Sequence, residues 1–235
     1  DDSYPVSLSV GQARDAIRAT LMSITDQETV PIRSALGRVL AADCISPIDV
    51  PSHTNSAMDG YAFAGVDLPT EDPREYRVVA TVLAGQTSDH RCAPGECVRI
   101  MTGAPMPPGT DTVVMQEQVE VLPDQRIRID ARHRQGQNVR QAGEDIASGA
   151  SVFGCGRSLT AADLGVLASL GFAELRVFRR PRVAFFSTGD ELRSIGETLA
   201  EGEVYDSNRY TLFAMLHELG VDLFDLGVVR DDREA

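Results

Sequence analysis

Residues 182–229 read "RVAFFSTGDELRSIGETLAEGEVYDSNRYTLFAMLHELGVDLFDLGVV". A short apolar run, "RVAFFS", ends at "TGDEL". A helical stretch follows, with Leu212, Met215, Leu216 and Leu219 on one face and Gly220 as its stop. "VDLFDLGVV" is then a second apolar strand. Strand, loop, helix, strand is a βαβ unit, which implies a parallel sheet with a right-handed crossover. The spacing predicts a further helix starting at Asp231 and Asp232. Two strands do not make a self-sufficient parallel sheet, because both its faces need covering. The expectation is a portion of a longer protein, cut inside its last α/β domain, or else a sheet completed by a partner chain.

Upstream, the periodicity changes. "AELRVF" reads as a strand, and "LTAADLGVLASLG" as a helix capped by Thr160 and Asp163 and closed at Gly171. Between residues 76 and 130, "YRVVATVLAG", "ECVRIMTG", "DTVVMQEQVEV" and "RIRID" are β-rich runs separated by Gly/Pro turns. They predict a compact β domain inserted between helical parts. Near the N-terminus, Ser9 and Gln12 form a capping box, and Ala13, Ile17, Leu21 and Ile24 recur at helical spacing, giving a helix over 10–24. "ETVPI" reads as extended, and "SALGRVLAADC" as a short helix from Ser34. Residues 46–65 read as loop and turn.

The chain has 235 residues and a formal net charge of −13. Such a charge argues against a general binder of nucleic acid or anionic membrane, which needs a basic face. All 22 basic residues are arginine. Any anion site must therefore use Arg, backbone N–H groups or a metal. No apolar run approaches the ~20 residues that span a bilayer. Cys44, Cys92, Cys97 and Cys155 have no zinc-ligand spacing, and four scattered thiols suggest a reduced, cytoplasmic protein.

Five stretches carry candidate chemistry. In "NSAMDGYA" (55–62), Asp59-Gly60 between apolar residues predicts a tight hairpin turn. In "RIMTGAPMPPGTDTVVMQE", Thr102 and Gly103 open a loop able to cradle an anion with a hydroxyl and backbone N–H groups. "GQNVRQAGEDI" brings Arg140, Glu144 and Asp145 close; a surface ion pair is the plain reading. Asp145 near Asp59 would instead make a carboxylate pair suited to Mg²⁺. "FFSTGDEL" lies at the C-terminal end of a parallel strand, where ligands bind in open α/β sheets, with Thr188, Gly189, Asp190 and Glu191 in play. In "YDSNRYTL", Asp206, Ser207 and Asn208 are all good N-caps, and Ser207 is a further candidate for orienting a ligand.

These five stretches, together and in this order, resemble the molybdopterin molybdenumtransferase family of molybdenum cofactor biosynthesis, which includes bacterial MoeA and the C-terminal domain of gephyrin. The resemblance runs from "VSLSVGQARDAI" to "DLGVVRDD". It implies a mixed α/β, multi-domain fold: a helical and β dimerising part (27–50 and 146–180) with an inserted small β domain (51–145), then the start of a parallel-sheet α/β domain (181–235). It lets an N-terminal helix within 1–26 pack on that α/β domain. The implied reaction transfers molybdate to adenylated molybdopterin, with Mg²⁺ assisting departure of AMP. Asp59, Thr102, Asp145 and Glu191 match the family's active-site motifs, with Asp190 adjacent; Asp59, Asp145 and Glu191 are the implied metal ligands. Thr102, Gly103, Arg140, Thr188, Gly189, Asp190 and Ser207 are the implied substrate contacts. A homodimer is implied, with molybdopterin adenylyltransferase and molybdoenzyme-maturation proteins as partners. His53-Thr54 replaces the family's frequent aromatic-acidic pair, and the family's later glycine-rich and lysine-bearing loops lie beyond this sequence. The expectation is therefore that this stretch does not catalyse alone. A scaffold module on the same fold, without catalysis, is the alternative.

Overall fold

The computed structural model describes residues 8–230. The expected helix start at Asp231 and Asp232 and the first seven residues lie outside them. The chain divides into two compact units, one of residues 43–154 and the other joining 1–42 to 155–235. The second unit opens with α1 (Val10–Thr20), whose capping box is as the sequence predicts: Gln12 N–H donates to Ser9 Oγ and Ser9 N–H to Gln12 Oε1. None of its residues is buried, and Ile17 and Leu21 stand exposed. The helix also ends four residues short of the expected Ile24, because Leu21 is already extended at ψ 131. Strand β1 (Gln27–Pro31) follows.

The helix expected from Ser34 does not form. Ile32–Ser34 is a single 3-10 turn, and Gly37 then takes φ 72. The Gly37 and Leu40 N–H groups bond to the carbonyls of Leu159 and Arg157. Pairing with a distant segment outcompetes an i to i−4 ladder that a left-handed glycine has already broken.

Residues 43–154 are the β unit, wider at both ends than 51–145. Its base is closed by β2 (Cys44–Ile45) pairing β11 (Ser151–Phe153), which brings both flanks into the same unit. Between them lie β3 (Asn55–Ser56), β4 (Gly60–Phe63), β5 (Arg74–Val82), β6 (Glu96–Ile100), β7 (Thr112–Met115), β8 (Glu120–Leu122), β9 (Arg126–Ile129) and β10 (Val139–Arg140). Six of them make one sheet in the order β7-β4-β6-β5-β9-β8. Side-chain alternation splits its core over two faces. Tyr61, Phe63, Tyr76, Cys97, Val114, Ile127 and Ile129 form one cluster, while Ala62, Val82, Val98, Ile100 and Val113 belong to the other. Phe63 and Tyr76 meet edge to face at 4.9 Å.

In the other unit, β12 (Glu174–Phe178) pairs antiparallel with β1. Helix α2 (Ala161–Ser169) precedes it, with the expected Thr160/Asp163 capping box. The βαβ reading holds: β13 (Arg182–Thr188) pairs in parallel with β16 (Asp222–Val229), with α3 (Ser207–Glu218) between them in sequence. The short pair β14 (Leu192–Arg193) and β15 (Val204–Tyr205) is also parallel. No residue of α3 is buried, and Leu212, Met215 and Leu219 stand exposed, as do Phe186 and Phe224 on the strands. All four cysteines are free thiols, and Cys92 donates to the Glu96 carbonyl at 3.1 Å.

Two carboxylates tie local structure to pH. Asp163 is held down to about 2, first by its paired hydrogen bonds from Arg157 and then by the Thr160 N–H. Glu96 is held down to about 2 by Arg77, then by the Ala93 N–H and by His90. A carboxylate whose pKa is lower when folded stabilises the fold above its unfolded pKa and loses that contribution as pH falls towards the folded value. Urea midpoints are therefore expected to fall as pH drops from about 5 towards 2. The Asp163→Asn variant should show a flatter fall than the wild type; parallel curves would show that the carboxylate is not the linked group.

Candidate functional site

Three of the candidate stretches converge on two buried residues, Asn55 and Ser56, in the β unit. Their strand pairs with β10, setting Asn55 opposite Arg140 and Ser56 opposite Val139. On its other side, Ser56 N–H donates to the Ala104 carbonyl and Gly103 N–H to the Ser56 carbonyl. The Asp59, Thr102 and Arg140 segments are thereby tied to one short strand. The sequence reading missed this hub. Its signal was present as two small polar residues between turn residues, which a buried strand needs in order to bond on both edges.

Beyond the strand, Ser56 Oγ donates to the Met58 carbonyl at 2.5 Å and accepts the Met58 N–H, closing a tight turn. That turn presents Asp59. Its Oδ1 accepts two bonds of 2.7 Å, from the N–H and from the hydroxyl of Thr102, 43 positions along the chain. The Thr102 N–H, then its hydroxyl, hold Asp59 below the usual carboxylate range, and the Arg99 charge adds to this. The anion cradled by the Thr102 loop is thus a carboxylate of the same chain, and the Gly103 N–H is taken by Ser56. This corrects the expectation that these donors face a ligand. It follows from proximity: a tethered carboxylate saturates the donors at no translational cost.

The hairpin expected at Asp59-Gly60 is also corrected. The strands on either side do not pair with each other, since β3 pairs β10 while β4 lies between β6 and β7. Gly60 is the first residue of β4 and is absent from the positive-φ residues. Its glycine identity comes from crowding, because a Cβ there would lie 2.0 Å from the Val114 carbonyl oxygen.

Arg140 bridges Glu144 through Nε and Asp145 through Nη2, each at 2.5 Å. Glu144 also accepts the Gln141 N–H, closing the loop. Both acids stay partly exposed. The plain ion-pair reading is what the geometry gives, and Arg140 is committed to it.

In the other unit, Gly189 and Asp190 line a cleft of about 660 Å³ with Arg193, Glu197, Arg209 and Arg230. Thr188 ends β13, as the strand-end placement requires. The Glu191 carboxylate folds over Gly189, where a Cβ would come within 2.8 Å of Oε2. Asp206, not Ser207, caps α3, accepting the Arg209 N–H at 3.2 Å; Ser207 is the first helical residue. The cleft's three arginines were not singled out in the sequence, although the all-arginine composition left Arg, backbone N–H groups or a metal as the means of holding an anion. Two are paired, Arg193 with Glu203 and Arg209 with Asp225.

Among the described residues no three His, Cys, Asp or Glu side chains form a ready metal cluster. The donor chemistry nonetheless fits Mg²⁺, which takes one or two carboxylates and completes its shell with water and substrate phosphate. Asp59 keeps one oxygen clear of Thr102, and the missing Cβ at Gly189 makes room for Glu191. Also among the described residues, no helix is long and apolar enough to cross a membrane.

Residues 8–171 match the family model described as MoeA N-terminal region (domain I and II), and residues 184–235 match one described as a probable molybdopterin binding domain. The molybdopterin molybdenumtransferase of Haemophilus influenzae is 40% identical over 225 residues, spanning 96% of this chain and 55% of its own. That of a Nostoc species is 38% identical over 218 residues, spanning 92% and 50%. A crystal structure of the molybdopterin biosynthesis MoeA protein of Pyrococcus horikoshii superposes with a TM-score of 0.85 at 31% identity, over 94% of this chain and 60% of that one. The chain spans about half the length of the curated relatives it matches.

Proposed function

The chain belongs to the molybdopterin molybdenumtransferase family, and from that premise we propose that it serves the molybdenum-insertion step of cofactor biosynthesis, passing molybdate to adenylated molybdopterin with release of AMP. The observation that carries this reading is the clasp between Asp59 and Thr102. Two motif residues far apart in sequence meet through two short bonds, and the result is a carboxylate held ionised at the surface of the β unit. A scaffold needs no such group.

The substrates are anions and the chain carries a charge of −13, so a cation is needed to reverse the local field. Mg²⁺ held by Asp59, Asp145 or Glu191 would supply that charge and polarise the phosphorus under attack. The chain's own residues do the rest. Thr102 orients Asp59 and keeps it charged, while Arg140 holds Asp145 until a stronger cation competes for it. Asp190 and Gly189 offer a polar edge and a close backbone approach in the cleft. Homodimerisation, supply of substrate by molybdopterin adenylyltransferase, delivery to molybdoenzyme-maturation proteins and a cytoplasmic setting complete the reading.

Incubating the full-length protein that carries these residues with adenylated molybdopterin and molybdate, with and without Mg²⁺, tests it. AMP release read by chromatography, together with activation of an apo-molybdoenzyme, is the expected result. Substrate bound but never converted would favour the scaffold alternative.

A further inference from the structure

The segment between β9 and β10 carries a buried titratable group that none of the candidate chemistry uses. The His133 side chain is only 2% exposed. It meets the Gln137 amide, which backbone groups fix at both ends. Gln137 Oε1 accepts the Arg134 N–H at 3.0 Å, and its Nε2 donates to the Val113 carbonyl at 3.3 Å. The orientation of the amide is thus set independently of the histidine. Its Nε2 lies 3.1 Å from His133 Nδ1, where the amide can only donate and the ring can only accept. The proton of the neutral imidazole therefore sits on Nε2, with Asp130 Oδ1 3.5 Å away.

Such a seat accepts the neutral ring and rejects the charged one. A proton on Nδ1 would set two donors face to face. Relief requires the Gln137 amide to turn over, giving up both of its backbone bonds, or the ring to leave its buried seat. Burial is the largest influence on the ring and holds its pKa below the ordinary 6.5; Asp130 pulls the other way, and Arg132 adds to the burial. Asp130 is itself engaged by the N–H and the Nε of Arg132. On the side of β7 the acid is Asp111, taken by the Gly65 N–H, the Thr112 hydroxyl and the Gln135 amide. Arg134 is exposed. A histidine with a lowered pKa when folded takes its proton more readily in the open form. The closed form is therefore favoured above the ordinary pKa and weakens as pH falls below it.

The loop that this amide holds is tied to the Asp59 turn. Gly136 N–H donates to the Thr112 hydroxyl, Val113 N–H to the Gln137 carbonyl, and the Asn138 side-chain amide to the Val113 carbonyl. The Asn138 carbonyl accepts the Ala57 N–H at 2.9 Å, immediately after Ser56. Strand β10 follows at once, paired with Asn55 and Ser56. Residues 134–138 are thus a strap from β7 to the turn that presents Asp59. We propose that His133 is a pH-operated latch on this strap: the neutral ring locks Gln137 and so seats the turn, and the protonated ring releases Gln137 and loosens the link between Ala57 and Asn138. The latch sets how firmly Asp59 is placed, whatever chemistry that carboxylate performs, and so goes beyond the functional reading.

Hydrogen exchange of the full-length protein that carries these residues tests it, with rates corrected for the intrinsic pH dependence of exchange. From about pH 7.5 to about pH 5, protection of the Ala57, Val113, Gly136 and Gln137 amides is expected to fall about tenfold, the population change that one unit of pKa displacement produces. The ladder between β5 and β9 should keep its protection. His133→Asn leaves an acceptor near the Nδ1 position and cannot titrate, so its strap should stay protected throughout. Gln137→Glu puts a carboxylate where the donor was, and nitrogen NMR of the ring should show His133 taking its proton at higher pH than in the wild type. An equal loss of protection in His133→Asn, or a wild-type ring that takes its proton while the strap stays closed, would overturn the proposal. If His133→Asn does not fold, ring titration and strap protection read together in the wild type carry the test. None of these measurements reads turnover, so failure of the molybdenum-insertion reading leaves the latch standing and failure of the latch leaves that reading untouched.

Discussion

In the full-length protein, Asp59→Asn is expected to lower the rate of the proposed AMP release from adenylated molybdopterin by about 100-fold or more, the scale of removing one group placed to act on developing charge, while leaving the β unit folded. The substitution separates charge from geometry. The side-chain oxygen of asparagine still accepts both Thr102 bonds, at the 2.7 Å now seen for each. What disappears is the negative charge, and with it any capacity to hold a cation against the substrate. Thr102→Val removes only the hydroxyl bond and keeps the N–H bond, so Asp59 stays ionised but loosely aimed. Its effect should be nearer tenfold, the cost of misplacing a group rather than deleting it. Because Thr102 lowers the Asp59 pKa from its ordinary 3.8, the carboxylate stays charged across neutral and mildly acidic pH. Any loss of activity between pH 7 and 5 must then come from another group, and Asp59→Glu should not move it. Full turnover in Asp59→Asn with an unchanged unfolding midpoint would reduce the clasp to a structural cap.

How much of this could be read from the sequence depends on which interactions fix each feature. The capping boxes at Ser9/Gln12 and Thr160/Asp163 were legible because all their partners lie within three residues. The parallel pairing of β13 with β16 was legible because an intervening helix restricts the pairing. Strand content over 74–129 followed from β-branched runs between turns. What was not legible depended on partners far along the chain. Ser34–Cys44 had helical composition, but Gly37 and Leu40 are claimed by residues 157–159. The Thr102 loop looked like an anion cradle, and only folding shows that the anion is Asp59. The Asn55–Ser56 hub was invisible because its meaning lies in two edges, one satisfied by β10 and one by residues 103–104. In each case local propensity named a small set of conformations, and a tertiary hydrogen bond chose among them.

Gly60→Ala is expected to destabilise the β unit by about 3 kcal/mol or more, towards the top of what overpacking costs. A Cβ on Gly60 would sit 2.0 Å from the Val114 oxygen, 2.9 Å from its carbonyl carbon and 3.1 Å from Met115 Cα. All three are backbone atoms, so no rotamer change relieves the contact; β7 itself must move. That strand carries Val113 and Val114, both fully buried, one in each cluster of the sheet. Displacing it therefore opens both faces at once. Gly103→Ala is the informative control. Gly103 has open space around it but φ +79, so alanine there costs the left-handed backbone penalty of about 1–2 kcal/mol and no clash. Urea unfolding followed by circular dichroism should rank the two clearly, with Gly60→Ala far less stable or insoluble. Should the order reverse, the close approach of the Val114 carbonyl would not be what demands glycine at position 60. Stability is the right readout here, because either substitution lies beside the Asp59–Thr102 clasp and would lower activity whichever explanation is correct.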